Sequence, residues 1–376
     1  MARYKFDQIA HYLNEKRMPT EADRETYIGL EHLDSGNLTV TRWGSDVDIK
    51  GQKLVMHKGD ILFGRRNTYL KRAAIAPHDG LFSAHGMIWR PKEDVVDASF
   101  FPFFVSSDYF MDEAIRISVG SLSPTINWRD LKELEFDLPD IDTQRKLSTL
   151  LWAMERAKTA YKNLIAKTDE LVKSQFVEMS GDGDYPLIEA GTVMLNMRNG
   201  LSPSTKGTYH EKVLTLAAIT QGWFDPEQWK DGTFDICPPN EKRISSSEFY
   251  ICRGNGNRTL VGAGVISTED RADLIFPDTV IAAQVDERQI CIPYLYHAWN
   301  QPSVRDQIES AARTTNGTYK INQGIISKVR LVLPPIGAQK AFVTIAEQAD
   351  KSKFAAQQAL ADLTATQKAL MRHYLG

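Results

Sequence analysis

The chain has 376 residues, 42% of them hydrophobic and 25% charged, with a net charge of −3 and a pI near 6.3. This is the make-up of one large or two ordinary folded domains, and it excludes a disordered or low-complexity chain. Three cysteines without a Cys-x-x-Cys pair exclude a disulfide framework or a zinc finger, while whole-chain charge is neutral on nucleic-acid binding, so local patches must decide.

The first residues, MARYKFDQIAHYLNEKRMP, lack the apolar stretch of a secretory signal. No apolar run approaches the roughly 20 residues of a membrane span. The expectation is a soluble, cytoplasmic protein with no membrane partner. Short β-type runs follow at TYIGL (26–30) and NLTVTRW (37–43). GDILFGRRN (59–67) then opens a basic stretch, GRRNTYLKR (64–72), which holds Arg65, Arg66, Lys71 and Arg72 with no acid among them. Asn67 and Tyr69 sit between the charges. FFPFFVSSDYFMDEAIRI (100–117) reads as a Pro-initiated aromatic helix. After SPTINWRDLKELEFDLP (123–139), no Pro or Gly interrupts the chain from Ile141 to Ser180. There Leu147, Leu150, Met154, Ala157, Tyr161, Leu164, Thr168 and Leu171 recur at alternating spacings of three and four, and Leu151, Ile165 and Val172 broaden the stripe. The pattern predicts a helix with a coiled-coil-like face, some 35 residues and about 50 Å long. Taken alone, such a helix could equally pack on its own domain.

The second half repeats the first. KVLTLAAI (212–219) and TVIAAQV (279–285) are β-type runs, and EFYICRGN (248–255) pairs with GDILFGRRN, placing Arg253 over Arg65 and Asn255 over Asn67. CIPYLYHAWNQPSVRDQI (291–308) is a second Pro-initiated aromatic segment. TYKINQGIISKVRLVLP (318–334) matches 123–139, with Ile321 over Ile126 and Asn322 over Asn127. Leu138, Pro139, Ile141, Gln144 and Arg145 recur 195 positions on as Leu333, Pro334, Ile336, Gln339 and Lys340. A second stripe, Phe342, Ile345, Ala349, Ser352, Ala356, Leu360, Leu363 and Leu370, runs to the end. Two matching helices can bury their stripes against each other. The expected fold is α+β: two globular domains related by an internal pseudo-repeat, joined by two long antiparallel helices that place the domains at opposite ends of a rod. The expected boundaries are a first domain at 1–140, a central helix at 141–180, a second domain at 181–334 and a C-terminal helix at 335–376. Leu147, Leu150, Met154, Tyr161, Leu164, Leu171, Phe342, Ile345, Leu360 and Leu363 are the expected helix-pair interface.

Catalytic motifs are scarce. There is no P-loop and no Gly-x-Gly-x-x-Gly, and the eight histidines have no His-x-x-x-His spacing. FPDTVIAAQVDERQ (276–289) faintly suggests a metal-dependent nuclease through Asp278, Asp286, Glu287 and Arg288, but a strand and a solvated turn explain it as well. The polar-basic loops carry more. Besides 64–72 there are CRGNGNRT (252–259), with Arg253, Asn255, Asn257 and Arg258, and RNGLSPSTKGTYH (198–210), with Arg198, Asn199 and Lys206. ARTTNGTYK (312–320) adds Asn316 and Lys320. Arg and Lys neutralise phosphates, and Arg and Asn can pair bidentately with guanine and adenine edges. Any one such loop reads as plain exposed surface; their recurrence at matching places in both halves argues for DNA.

The stretches GDILFGRRNTYLKRAAIA and SPTINWRDLKELEFDLPDIDTQRKLSTLL, with their partners ICRGNGNRTLVGAGVI and YKINQGIISKVRLVLPPIGAQKAF, resemble the specificity subunits of type I restriction–modification systems. The resemblance covers essentially the whole chain. Asp140 departs from the usual second proline of the LP element. It implies two target recognition domains, each reading one half of a split DNA site, and helices that set the spacing and dock partner subunits. Two readers on one face of B-DNA favour separations near a helical turn, about 34 Å. It further implies a non-catalytic chain without a cofactor of its own. Two modification subunits would carry S-adenosylmethionine and methylate adenine, and a restriction subunit would use ATP and Mg. A stand-alone metal-dependent DNA nuclease is the competing reading from the residues, and a scaffold without a DNA role is a third.

Overall fold

The computed structural model describes residues 1–181, 185–315 and 317–375. The chain divides into two compact units, Met1–Leu164 with Ala355–Gly376, and Ile165–Phe354. In the first, the strand Ala2–Lys5 lies antiparallel to Glu135–Leu138. A four-stranded antiparallel sheet runs in the order Ala10–Leu13, Met87–Pro91, Ile61–Phe63, Ala73–Ile75. The inner strands Ile61–Phe63 and Met87–Pro91 are almost continuously apolar because both of their faces are covered. Phe6, Phe63, Trp89, Phe104, Phe110 and Phe136 meet there as a buried aromatic cluster with centroids 4.6–6.2 Å apart.

The second unit repeats the sheet order strand for strand: Met194–Asn199, Val280–Val285, Glu248–Cys252, Gly264–Ile266. Leu187–Glu189 pairs with Arg330–Val332 as Ala2–Lys5 pairs with Glu135–Leu138. Each aromatic segment is a pair of helices, Phe101–Ser106 and Asp108–Arg116 in one unit, Ile292–Trp299 and Pro302–Ala311 in the other. The first pair breaks at Ser107, whose side chain caps the next helix by accepting from the Phe110 amide. Two of the expected strands do not form, and a third, 212–219, is a strand only as far as Leu214 before the chain turns into the short helix Ala217–Thr220. Residues 26–30 and 37–43 contribute only the isolated bridges Ile28 to Phe82 and Thr39 to Ile75. Leu38 and Val40 are buried, so the alternation read as a strand serves packing without a ladder.

The long helices are Ile141–Gly181 and Ile336–Leu375. In the first unit Leu147, Leu151 and Met154 share a core with Met371 and Leu375. In the second, Phe176 meets Phe342 at 5.5 Å and Asp169 binds Lys353, so the helices run antiparallel. The buried stripe is Leu147, Leu151, Met154, Lys158, Thr168 and Phe176 on one helix, and Phe342, Ala346, Ala349, Ala356 and Met371 on the other. Of the expected interface, Leu147, Met154 and Phe342 are buried, and Tyr161, Leu360 and Leu363 are half-buried. Leu150, Leu164, Leu171 and Ile345 are 47%, 42%, 49% and 36% exposed. The stripe therefore keeps its three-four alternation but takes the opposite phase at every second position: 151 rather than 150, and 346 rather than 345.

Candidate nucleic-acid interface

Each unit carries the same loop between two neighbouring strands of its main sheet. In the first it leaves Ile61–Phe63, makes a short 3-10 turn at Thr68–Leu70 and re-enters at Ala73–Ile75. In the second it leaves Glu248–Cys252, turns at Arg258–Leu260 and re-enters at Gly264–Ile266. The carbonyl of Arg65 accepts from the Ile126 amide at 3.0 Å, and that of Arg253 from the Ile321 amide at 2.9 Å. The sequence alignment of these residues is thus matched by one backbone contact made twice. A hairpin lies against each loop: residues 119–125 in the first unit, closed by reciprocal Val119–Thr125 bonds, and Arg313–Thr315 with Thr318–Lys320 in the second. Gly254 and Asn255 extend the latter by pairing with Lys320 and Tyr319.

The charges on the loops divide into committed and uncommitted. Lys71 is held by Asp108 at 2.8 Å and Asp112 at 2.7 Å. Arg72 donates to the carbonyls of Leu30 and Arg66, and burial lowers its basicity. Asn67 adopts a left-handed backbone and accepts from Ser123 Oγ at 2.8 Å. Arg66 is exposed, and its Nε donates to Ser123 Oγ. Arg65 is half-buried, and among the described residues neither arginine has an acidic partner. Tyr69 is 58% exposed. His85 and Lys53 stand close enough that, after burial, the positive charges of Arg66, Arg65 and Lys53 hold the imidazole below its ordinary pKa. This cationic group joins residues distant in sequence, and no local motif signals it.

In the second unit Arg253 donates to the Asp278 carbonyl, and Arg258 to the Glu309 carbonyl at 2.7 and 2.9 Å. Asn255 and Asn257 shape the turn through bonds to the amides of Asn257 and Thr259. Lys320 and Arg313 are exposed without an acidic partner among the described residues. Arg313 was not among the expected contacts, although its neighbours were. Arg198 faces inward, paired with Glu248 at 2.6 Å and lying over the Phe276 ring. The Asn199 side chain accepts weakly from Gln323 at 3.4 Å. Lys206 belongs to a segment bonded through Ser204 and Thr233 to a separate sheet, in which Tyr209–Leu214 pairs with Trp229–Phe234, so the loops are not all brought together. Asn316 lies outside the described residues.

The nuclease pattern does not assemble. Asp278 and Asp286 flank the strand Val280–Val285, which separates them by at least ~16 Å at 3.3 Å per residue. The carboxylate of Asp286 is gripped by Arg288 and Gln289, well below the usual carboxylate range. Among the described residues, no three His, Cys, Asp or Glu side chains gather as metal ligands. No helix among them is long and apolar enough to cross a membrane.

The chain thus holds a sheet order built twice, an arginine loop built twice and two long antiparallel helices, and the relatives found by comparison are specificity subunits of type I restriction enzymes. The chain is 23% identical over 297 residues to the type I restriction enzyme EcoKI specificity subunit of Escherichia coli K12, covering 72% of this chain and 62% of that protein. The StySPI specificity subunit of Salmonella potsdam matches over the same length at 23%, again 72% and 62%. The chain thus spans under two thirds of the length of these relatives. In fold it is similar to the type I S subunit from M. genitalium, with a TM-score of 0.63 and 12% identity over 100% of this chain and 96% of that one. A chain from a structure describing complex assembly and conformational transition of the type I system gives 0.55 and 16% identity, over 99% and 96%. No family model matches the sequence.

Proposed function

We propose that this chain is the sequence-reading subunit of a type I restriction–modification complex, with each unit reading one half of a bipartite site on double-stranded DNA. The observation that carries the reading is the loop-and-hairpin built twice on the same sheet order, each copy presenting cations that no carboxylate among the described residues neutralises. Arg65, Arg66 and Tyr69 would serve the first half-site, and Arg253, Arg313 and Lys320 the second. Arg258 would join them through the part of its guanidinium not bound to Glu309. Lys71, Arg72 and Arg198 are engaged inside their units, so they would shape the loops. On this reading the chain is cytoplasmic, catalyses nothing and holds no cofactor. Two methyltransferase subunits would bring S-adenosylmethionine, and a restriction subunit ATP and Mg. The outward Leu150 and Leu171 suit a surface on which such partners dock.

The test is adenine-methylation mapping of host DNA after co-expression with the neighbouring methyltransferase gene. One new motif with two short specific parts and a fixed gap is expected, and exchanging residues 181–332 for those of another such subunit should change one part only. A complex that forms and binds S-adenosylmethionine yet leaves no new methylation would refute the assignment.

A further inference from the structure

We infer that Leu122 is a DNA wedge, the apolar tip of a hairpin mounted on the Arg65–Arg66 loop, inserted into the base stack of the half-site read by the first unit. The inference rests on the DNA-reading function proposed above. Leu122 is 98% exposed. A lone exposed leucine carries no argument by itself; what matters is how this one is held and what surrounds it.

Residues 119–125 form a tight hairpin, closed by the paired 3.0 Å bonds between Val119 and Thr125. The turn depends on Gly120, whose φ of +109° suits glycine. Four bonds then fasten its far limb to the arginine loop. The Asn67 amide donates to the Pro124 carbonyl at 2.8 Å and the Ile126 amide to the Arg65 carbonyl at 3.0 Å. Arg66 Nε donates to Ser123 Oγ at 2.9 Å, and that hydroxyl donates to Asn67 Oδ1 at 2.8 Å. Ser123, the residue after the wedge, is therefore bonded to the exposed guanidinium. The limb that carries the tip is thus fastened to the loop without any ligand, which leaves less backbone to order on binding.

The surroundings select the occupant. Neither Arg65 nor Arg66 has an acidic partner among the described residues, so a polyanion is favoured beside the tip. A strongly apolar side chain next to paired arginines fits a duplex, where the cations meet phosphates and the leucine parts a base step, as wedge residues do in DNA-bending proteins. Val119, 64% exposed, stands at the base of the same hairpin. Between the paired strands of the second unit's hairpin the sequence of 314–318 is Thr-Thr-Asn-Gly-Thr, with no large apolar residue. The distortion is therefore confined to one half-site.

The test uses the full chain in complex with its methyltransferase subunits, on a duplex carrying the motif found by methylation mapping. Permanganate, which oxidises unstacked thymines, is the probe. Leu122→Ser and Leu122→Phe are compared with the parent; an exposed tip tolerates both without threatening the fold. The parent should show enhanced reactivity at a base step in one half-site, lost in Leu122→Ser and kept in Leu122→Phe. Arg66→Ala should weaken binding yet retain the enhanced step once the DNA is saturated. Specific binding with no enhanced step, or an enhanced step unchanged in Leu122→Ser, overturns the wedge and leaves the reading function standing. Absence of motif-specific binding by the parent complex overturns both.

Discussion

Gln144 and Gln339 explain the phrase that the sequence says twice. Each is fully buried at the start of a long helix. Gln144 Nε2 donates to the Pro139 and Val95 carbonyls at 2.8 and 3.2 Å, and its Oε1 accepts from the Asp97 amide at 2.8 Å. Gln339 does the same with the Pro334 and Gln289 carbonyls and the Cys291 amide, at 2.8, 3.0 and 3.0 Å. The proline turns the chain and the glutamine ties the helix start to the loop entering the aromatic segment. Gln144→Ala leaves buried backbone groups unpaired and should cost about 1–3 kcal/mol, read as a lower denaturation midpoint; an unmoved midpoint would show that the tie is dispensable. A second residue-scale prediction concerns acid. Arg17 grips the nearly buried Asp23 at 2.6 and 2.7 Å, and Thr20 adds two donors, holding the carboxyl well below the usual carboxylate range. Because the folded pKa is depressed, the stabilisation is complete above the unfolded value of about 4 and is lost as pH falls below it. The stability gap between the parent and Asp23→Asn should be constant near neutrality and close below pH ~4; a gap independent of pH would contradict the pairing.

At the scale of elements, the helix seam contains a polar layer that a leucine count passes over. Lys158, 8% exposed, donates to Glu155 at 2.6 Å and to Gln367 of the other helix at 2.8 Å, and Gln367 donates back to Glu155 at 3.0 Å. The triad replaces an apolar layer with three mutually satisfied groups, which fixes one alignment of the helices at some expense in stability. Removing one member strands the others, so Lys158→Ala should destabilise by about 3 kcal/mol. Substituting leucine at 155, 158 and 367 together should recover most of that loss. Thermal unfolding of the two variants decides it, and equal losses in both would mean the triad has no internal coupling. Leu150, Leu164 and Leu171 fall outward in this arrangement because the helix phase is set where it starts, by Gln144 and Leu147 inside the domain core, rather than by the richest row of leucines.

At the scale of the molecule, the proposed function would use duplication with divergent loops to let one scaffold serve two readings. Arg66 and Arg253 sit on matching loops of different units, so Arg66→Ala and Arg253→Ala should relax different parts of one motif. Each should cost about 1–3 kcal/mol if it contacts a base, or lower affinity for all sequences alike if it contacts phosphate. Binding titrations against single-position variants of the mapped motif separate the two cases. If both substitutions weakened the same part, the two loops would not be reading separate half-sites.

The sequence alone determined the α+β class, the internal repeat, the two long antiparallel helices and the matching of Arg65 with Arg253. These are written as apolar periodicity and as recurrence along the chain, which need no tertiary information to be seen. Only the tertiary structure decided which cations are spent inside the protein. Lys71 reaches Asp108 and Asp112, and Arg198 reaches Glu248, across 37, 41 and 50 positions of sequence. The same holds for the seam phase, which depends on what the domain buries, and for Leu122, whose significance lies in the Ser123 hydroxyl that fastens its hairpin to Arg66 and Asn67. A side chain's neighbours are fixed by the fold of distant segments, and that is where a linear pattern stops being informative.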